Sequence, residues 1–261
     1  MPKPRIIAIA SQKGGVGKTT TTANLAAAAA VYRSRVLMVD FDPQFALTRA
    51  FGLAPSQAPA TIRDVISVVL DDEEGEIDLA AVVAPVGEGI DLIAGHRALA
   101  GLERQLSREP ERGHLVLKEA LEGGVGGYDV VFVDCPPNLG LLTLNALCAA
   151  DEVLVPVAMN DPGAFQGAAE LKASLGRAQK GLGARAEITA VVRTAGAPWA
   201  RTHRDIEEAL PELGLPISDT MIPERKAFNN ALAAGRPLVW AQRSHEGASA
   251  YRSLASELKV A

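Results

Sequence analysis

The run Gln12-Lys13-Gly14-Gly15-Val16-Gly17-Lys18-Thr19-Thr20 restricts the fold of this chain more than any other stretch. An apolar, β-like segment at 6–10 leads into it, and an alanine-rich segment of high helix propensity at 21–32 leads out. Strand, glycine loop and helix in that order make a cradle for phosphate. Gly14, Gly15 and Gly17 let backbone N–H groups turn inward around an anion, and the start of the helix adds the positive end of its dipole there. In the pattern G-x-x-x-x-G-K-[ST], Lys18 reaches the β- and γ-phosphates and the Thr19 hydroxyl ligates Mg²⁺, while Val16 and Thr20 complete the loop. Lys13 stands where that pattern has its first glycine.

A phosphate loop needs a sheet to carry it. Apolar runs recur at 5–10, 36–40, 90–94, 130–134, 153–157 and 188–192. They are continuous rather than alternating, which marks strands covered on both faces. The expectation is an α/β fold, a doubly wound, mainly parallel sheet with helices on both faces, forming one domain over 1–261. At 261 residues and 48% hydrophobic, the chain has apolar material enough for such a core. Ligands gather beyond the carboxyl ends of these strands, so the residues just after each run carry the interest. The second run ends in Asp40-Phe41-Asp42-Pro43, two carboxylates before a proline. The fourth ends in Phe132-Val133-Asp134-Cys135-Pro136-Pro137, where Asp134 can hold Mg²⁺ through water. Cys135 reads as a small packing residue beside the site. It and Cys148 are the only two cysteines and give neither a ligand cluster nor a disulfide framework. The first apolar segment is too short for a secretory signal or a membrane span, so a reduced, cytoplasmic protein is expected.

With its extra lysine, KGGVGKTT resembles the deviant Walker A ATPases of the ParA/MinD family. The segment Asp40-Phe41-Asp42-Pro43-Gln44 is similar to that family's D-x-D-P-Q, and 134–147 resembles its ParA pattern, with Asn138 where serine is usual. The resemblance runs from 6 to 258 and implies a Mg²⁺-dependent ATPase. It implies that Lys13 reaches across a nucleotide-sandwich homodimer to its neighbour's ATP. It implies also that Asp42 orients or activates the attacking water and that Asp40 supports the Mg²⁺ neighbourhood beside Thr19 and Asp134. A cation supplied from outside neutralises charge on the transferring phosphoryl group, as an arginine finger does. One departure is local: Phe45 and Ala46 follow Gln44, where the family often has Gly-Asn.

Ile222-Pro223-Glu224-Arg225 resembles the segment that closes over adenine, commonly Ile-Pro-Arg-Asn, which puts Pro223 against the base; a strand-ending turn is the other reading. In chromosome-type ParA proteins, arginines here belong to a DNA-binding surface. Glu224 and Ala227 take those positions in this chain, leaving Arg193, Arg225 and Lys226 as the candidates for DNA contact. The net charge of −5 does not announce nucleic-acid binding, although 185–261 holds 10 Lys and Arg against 9 Asp and Glu. The resemblance therefore implies a ParA/Soj-like ATPase for plasmid or chromosome segregation. Its ATP-bound dimer would bind double-stranded DNA without sequence preference, sit on the nucleoid and respond to a ParB-like activator. A positioner of protein cargo and a MinD-like interaction switch without DNA affinity remain open, and two cysteines argue against an iron–sulfur reductase. The final helical segment, 248–258, carries no basic amphipathic tail, so no membrane attachment is expected. The acidic run at 71–76 reads as an exposed loop. Segments 61–70, 113–121 and 163–175 have helical patterning.

Overall fold

A computed structural model describes residues 3–70, 79–87, 89–122 and 124–260; the acidic run at 71–76 lies outside the described residues. Eight strands share one sheet: β1 (Arg5–Ile9), β2 (Val36–Asp40), β3 (Ala84–Gly87), β4 (Ile90–Ile93), β5 (Val130–Asp134), β6 (Glu152–Ala158), β7 (Glu187–Gly196) and β8 (Ile217–Pro223). Their spatial order is β3-β4-β2-β5-β1-β6-β7-β8, and every pair is parallel except β3 with β4. The first helices are α1 (Lys18–Val31), α2 (Ala46–Ala50), α3 (Ile62–Leu70), α4 (Leu79–Val82), α5 (Leu99–Leu106) and α6 (Val116–Glu122). They are followed by α7 (Leu141–Ala149), α8 (Ala164–Gly181), α9 (Arg201–Ala209), α10 (Lys226–Ala233), α11 (Leu238–Ala241) and α12 (Glu246–Glu257).

Successive strand side chains point to opposite faces. In β1, Ile7 and Ile9 join one buried cluster with α1, α2, α10, α11 and α12, whereas Ile6 and Ala8 join a second with α3, α5, α6, α7 and α8. Both faces are covered, so the central strands cannot alternate polar with apolar. On α1, Ala26 to Ala29 are all fully buried, small enough to bring the helix close to the sheet.

All six runs expected as strands enter the sheet. Two further strands, β3 and β8, lie at its edges, where half-exposed residues dilute the apolar signal. β3 contains Pro85 and runs antiparallel, as an edge position tolerates. β8 pairs with β7 in a broken register and stops at Pro223. Among the described residues, no helix is long and apolar enough to cross a membrane.

Candidate nucleotide site

β1, β2 and β5 bring their carboxyl ends to one place, and the functional side chains collect there. The loop between β1 and α1 turns through Gly15 (φ 76°) and Gly17 (φ 93°), left-handed conformations that favour glycine. Gly17 caps α1 directly, so the first N–H groups of the helix open onto the loop. Thr194 of β7 braces the loop from the side, donating its hydroxyl to the Val16 carbonyl at 2.8 Å. Lys18 is buried, and its ammonium donates to the Lys13 carbonyl at 2.8 Å across the loop. Burial lowers its pKa, opposed by the charges of Asp134, Cys135 and Asp42.

Asp40 and Asp134 pair in register at the tips of adjacent strands, and both are fully buried. The Thr19 hydroxyl donates to Asp134 at 2.7 Å, and Thr22 donates to its other oxygen at 3.3 Å. Burial, reinforced by the negative charge of Asp40, pushes the Asp134 pKa up to about 8 against the pull of Thr19 and Lys18. Asp40 rises to about 6, again mainly through burial, despite hydrogen bonds from the Thr48 amide at 2.7 Å and hydroxyl at 2.6 Å. Thr48 in turn accepts from the Gly95 amide at 2.9 Å. Asp40 is thus tied to α2 and to the turn after β4, and its role here is to fix the loop that follows β2.

That loop carries Asp42, also buried, whose carboxylate accepts the Gln44 amide at 2.8 Å. Phe45, at the position where the family often has glycine, adopts φ 41°. A left-handed conformation costs a non-glycine residue roughly 1–2 kcal/mol. The Arg49 guanidinium lies 4.9 Å from the Phe45 ring centre and offsets part of that cost.

Lys13 points away from its own cradle. Its ammonium bonds both oxygens of Asp161 at 2.9 Å, and Asp161 also accepts the Gly163 amide at 2.9 Å. Gly163 and Gly167 make room: a Cβ on Gly163 would collide with the Lys13 ammonium, and one on Gly167 would lie 3.1 Å from its Cγ. The Asn160-Asp161-Pro162 turn gives no sequence signal of this role. The partners are 148 residues apart.

On the other side of the loop, a cavity of about 200 Å³ is lined by Gly15, Val16, Gly17, Thr20, Pro223 and Tyr251, among others. Pro223 therefore flanks the phosphate loop at the end of β8. Tyr251, which no sequence motif marks, shares a 3.1 Å hydroxyl–hydroxyl hydrogen bond with Thr21.

The basic candidates fare differently. The sequence offers Arg193 for a basic surface. In the fold it pairs instead with Glu207 and donates to the Ser218 carbonyl at 2.8 Å and the Asp219 carbonyl at 2.9 Å, with its side chain only 17% exposed. It braces β7 against α9 and β8, because its position within a strand points it at neighbouring structure. Arg225 pairs with Glu246, and Lys226 opens α10 as an exposed residue. Cys135 is buried, and its thiol pKa is raised by burial and by Asp134, in keeping with a packing role.

The charges of Asp134 and Asp42 bear on the buried ammonium of Lys18, and burial, reinforced by Asp40, holds Asp134 above its ordinary range. The Thr19 hydroxyl and Asp134 carboxylate are hard oxygen donors that already converge. They fit a magnesium ion, which takes one or two carboxylates plus substrate phosphates rather than a cage. No cage of three or more His, Cys, Asp or Glu is present among the described residues.

A glycine loop capping a helix, with Lys18 and Thr19 facing a buried strand-tip carboxylate, defines a P-loop nucleoside triphosphatase fold. A family model described as an AAA domain matches residues 4–188. The sporulation initiation inhibitor protein Soj of Bacillus subtilis is 37% identical over 257 residues, covering 97% of this chain and 98% of that protein. The chromosome partitioning protein ParA of Caulobacter vibrioides is 35% identical over 260 residues, covering 97% and 93%. Among solved structures, cobyrinic acid a,c-diamide synthase from Mycobacterium smegmatis, with bound ATP analog and magnesium, superposes with a TM-score of 0.81 at 32% identity, covering 98% and 95%. The chain belongs to the ParA/MinD superfamily of ATPases.

Proposed function

We propose that this protein is a partitioning ATPase that binds ATP with Mg²⁺, closes into a homodimer, holds double-stranded DNA without sequence preference and hydrolyses ATP when a ParB-like partner engages it. The reading treats residues 1–261 as one domain working in the cytoplasm on nucleoid DNA. The observation that carries it is the division of labour between two lysines. Lys18 occupies its own cradle, whereas Lys13 projects outward, 38% exposed and held by Asp161 at the protein surface.

In this scheme the loop N–H groups of Gly14, Gly15 and Gly17, together with Lys18, bind the phosphates. Thr19 and Asp134 would hold Mg²⁺, which supplies charge neutralisation on the phosphate oxygens, with Asp40 keeping the adjacent loop in place. Pro223 lies against the base. Asp42 orients the attacking water, and Lys13 leaves Asp161 for the neighbouring subunit's phosphates, where a second cation offsets developing charge.

The test is duplex DNA binding measured without nucleotide and with ADP, ATP and a non-hydrolysable analogue, alongside Asp42→Ala. Binding confined to the triphosphate states, and an Asp42→Ala protein that accumulates as an ATP-loaded dimer, support the scheme. Engagement of Arg193 by Glu207 and of Arg225 by Glu246 favours a second reading, a nucleotide-gated interaction switch with no DNA affinity. DNA binding in no nucleotide state would select it.

A further inference from the structure

We propose that Phe45 and Arg49 are positioning residues for ATP hydrolysis: the Arg49 guanidinium, resting on the Phe45 ring, holds the loop after β2 in the turn that aims the Asp42 carboxylate. The inference deepens the partitioning reading and rests on the water-orienting role that reading gives to Asp42.

Residues 42–48 form a closed unit. The Phe45 amide donates to the Asp42 carbonyl at 2.8 Å and closes the turn, while the Gln44 amide donates to Oδ1 of the Asp42 carboxylate at 2.8 Å and fixes its rotation. At the far end the unit is anchored on Asp40, which accepts the Thr48 amide at 2.7 Å and hydroxyl at 2.6 Å. Between these anchors the chain turns into α2 at Phe45, whose φ and ψ are both 41°. Glycine would adopt that backbone without strain. A bulky residue there needs support from its surroundings, and such strained positions cluster at switch segments. The support is Arg49, whose guanidinium lies 4.9 Å from the ring centre, within cation–π range. A spacing of four puts both side chains on one side of the helix, and helix side chains lean toward its start, so Arg49 reaches back over the turn.

A basic residue in the last turn of a helix also suits its dipole. Helix α2 has only five residues, too few for a sizeable dipole, and that role does not call for an aromatic ring four positions earlier. The charge of Asp42 bears on the Lys18 ammonium, so the carboxylate that this unit aims is felt inside the phosphate cradle. Were Phe45 to relax out of the left-handed region, the bond from its amide to Asp42 would break and the carboxylate would swing. A misplacement of about 1 Å in a reacting geometry can cost on the order of 10²-fold in rate. Phosphate binding is the work of another segment, the loop into α1 with Lys18, so the clamp acts on turnover and not on affinity.

The experiment measures single-turnover hydrolysis of ATP by the full chain with Mg²⁺, and in parallel the affinity for a non-hydrolysable ATP analogue. The unaltered protein is compared with Arg49→Ala, Arg49→Lys and Asp42→Ala, and Arg49→Ala is also made in a Phe45→Gly background. Arg49→Ala should hydrolyse about two- to fivefold more slowly, the population shift that one exposed cation–π contact sustains, with analogue affinity unchanged. Arg49→Lys should recover most of the rate, because an ammonium is also drawn to the ring. In the Phe45→Gly background, where the left-handed turn needs no support, Arg49→Ala should cost nothing further. An unchanged rate in Arg49→Ala, the same loss in the glycine background, or an equal loss of analogue affinity would overturn the clamp and leave the partitioning reading intact. Wild-type hydrolysis by Asp42→Ala, or none by the unaltered protein, would overturn the role given to Asp42, and the clamp with it.

Discussion

Raising the pH should weaken the nucleotide-free protein, and Asp134→Asn should remove most of that dependence. In the unfolded chain both strand-tip carboxyls ionise near 3.8; folded, Asp40 holds its proton to about 6 and Asp134 to about 8. Below about pH 4 both groups are protonated in both states, and their burial costs nothing in charge. Above that, the unfolded chain releases protons that the folded protein keeps. Stability then falls by about 1.4 kcal/mol per pH unit for each group, until the pH passes its folded pKa. Between roughly pH 5 and pH 7, Asp134 alone amounts to about 3 kcal/mol, a large fraction of a typical total of about 5–15 kcal/mol. Asp64 and Asp161, whose pKa values are lowered, act at more acid pH and leave this window alone. The assay is urea unfolding followed by circular dichroism across that range, without nucleotide or magnesium. Asparagine keeps the side-chain volume and removes the titration, so the variant's stability should change far less with pH. Magnesium and ATP should flatten the wild-type curve as well, because a bound cation favours the carboxylate. A wild-type protein with pH-independent stability, or a variant that keeps the wild-type slope, would refute the reasoning.

Asp161→Asn should free Lys13 and lower the ATP concentration at which dimers appear in light scattering by a few-fold, the scale of a half-exposed ion pair of about 0.5–1 kcal/mol; an unchanged threshold would show that Asp161 does not restrain Lys13. Gly163→Ala, which pushes the ammonium aside, should shift it the same way. Arg193→Ala should cost about 1–3 kcal/mol in denaturant unfolding by stripping partners from Glu207 and two carbonyls, with DNA affinity unaltered. A selective loss of DNA binding would return Arg193 to the DNA-facing surface.

The centre of this fold was legible because burial on both faces writes itself as unbroken apolar runs, and the phosphate loop because its glycines and lysine are adjacent in sequence. The edges were not. β3 and β8 are half exposed, interrupted by proline and glycine or out of register, and their composition does not separate them from turns. Pairings that cross the fold were also hidden. Lys13 with Asp161 and Thr21 with Tyr251 join positions 148 and 230 residues apart, and neither pair carries a local pattern. Phe45 shows a different limit. The missing glycine was visible in the sequence, but the left-handed backbone it leaves behind, and the Arg49 side chain that supports it, depend on three-dimensional placement.

Asp40 and Asp134 face one another because their backbones are laced together amide by amide along β2 and β5. Their separation is consequently measured by the pleat and not by side-chain freedom. Adding or deleting one residue inside either strand would swing its acid to the opposite side of the sheet. The same change in a turn at the far end would slip past unnoticed. Lineages descended from such a protein can lengthen the connections leading into these strands, but the strands themselves are rulers cut to a fixed length.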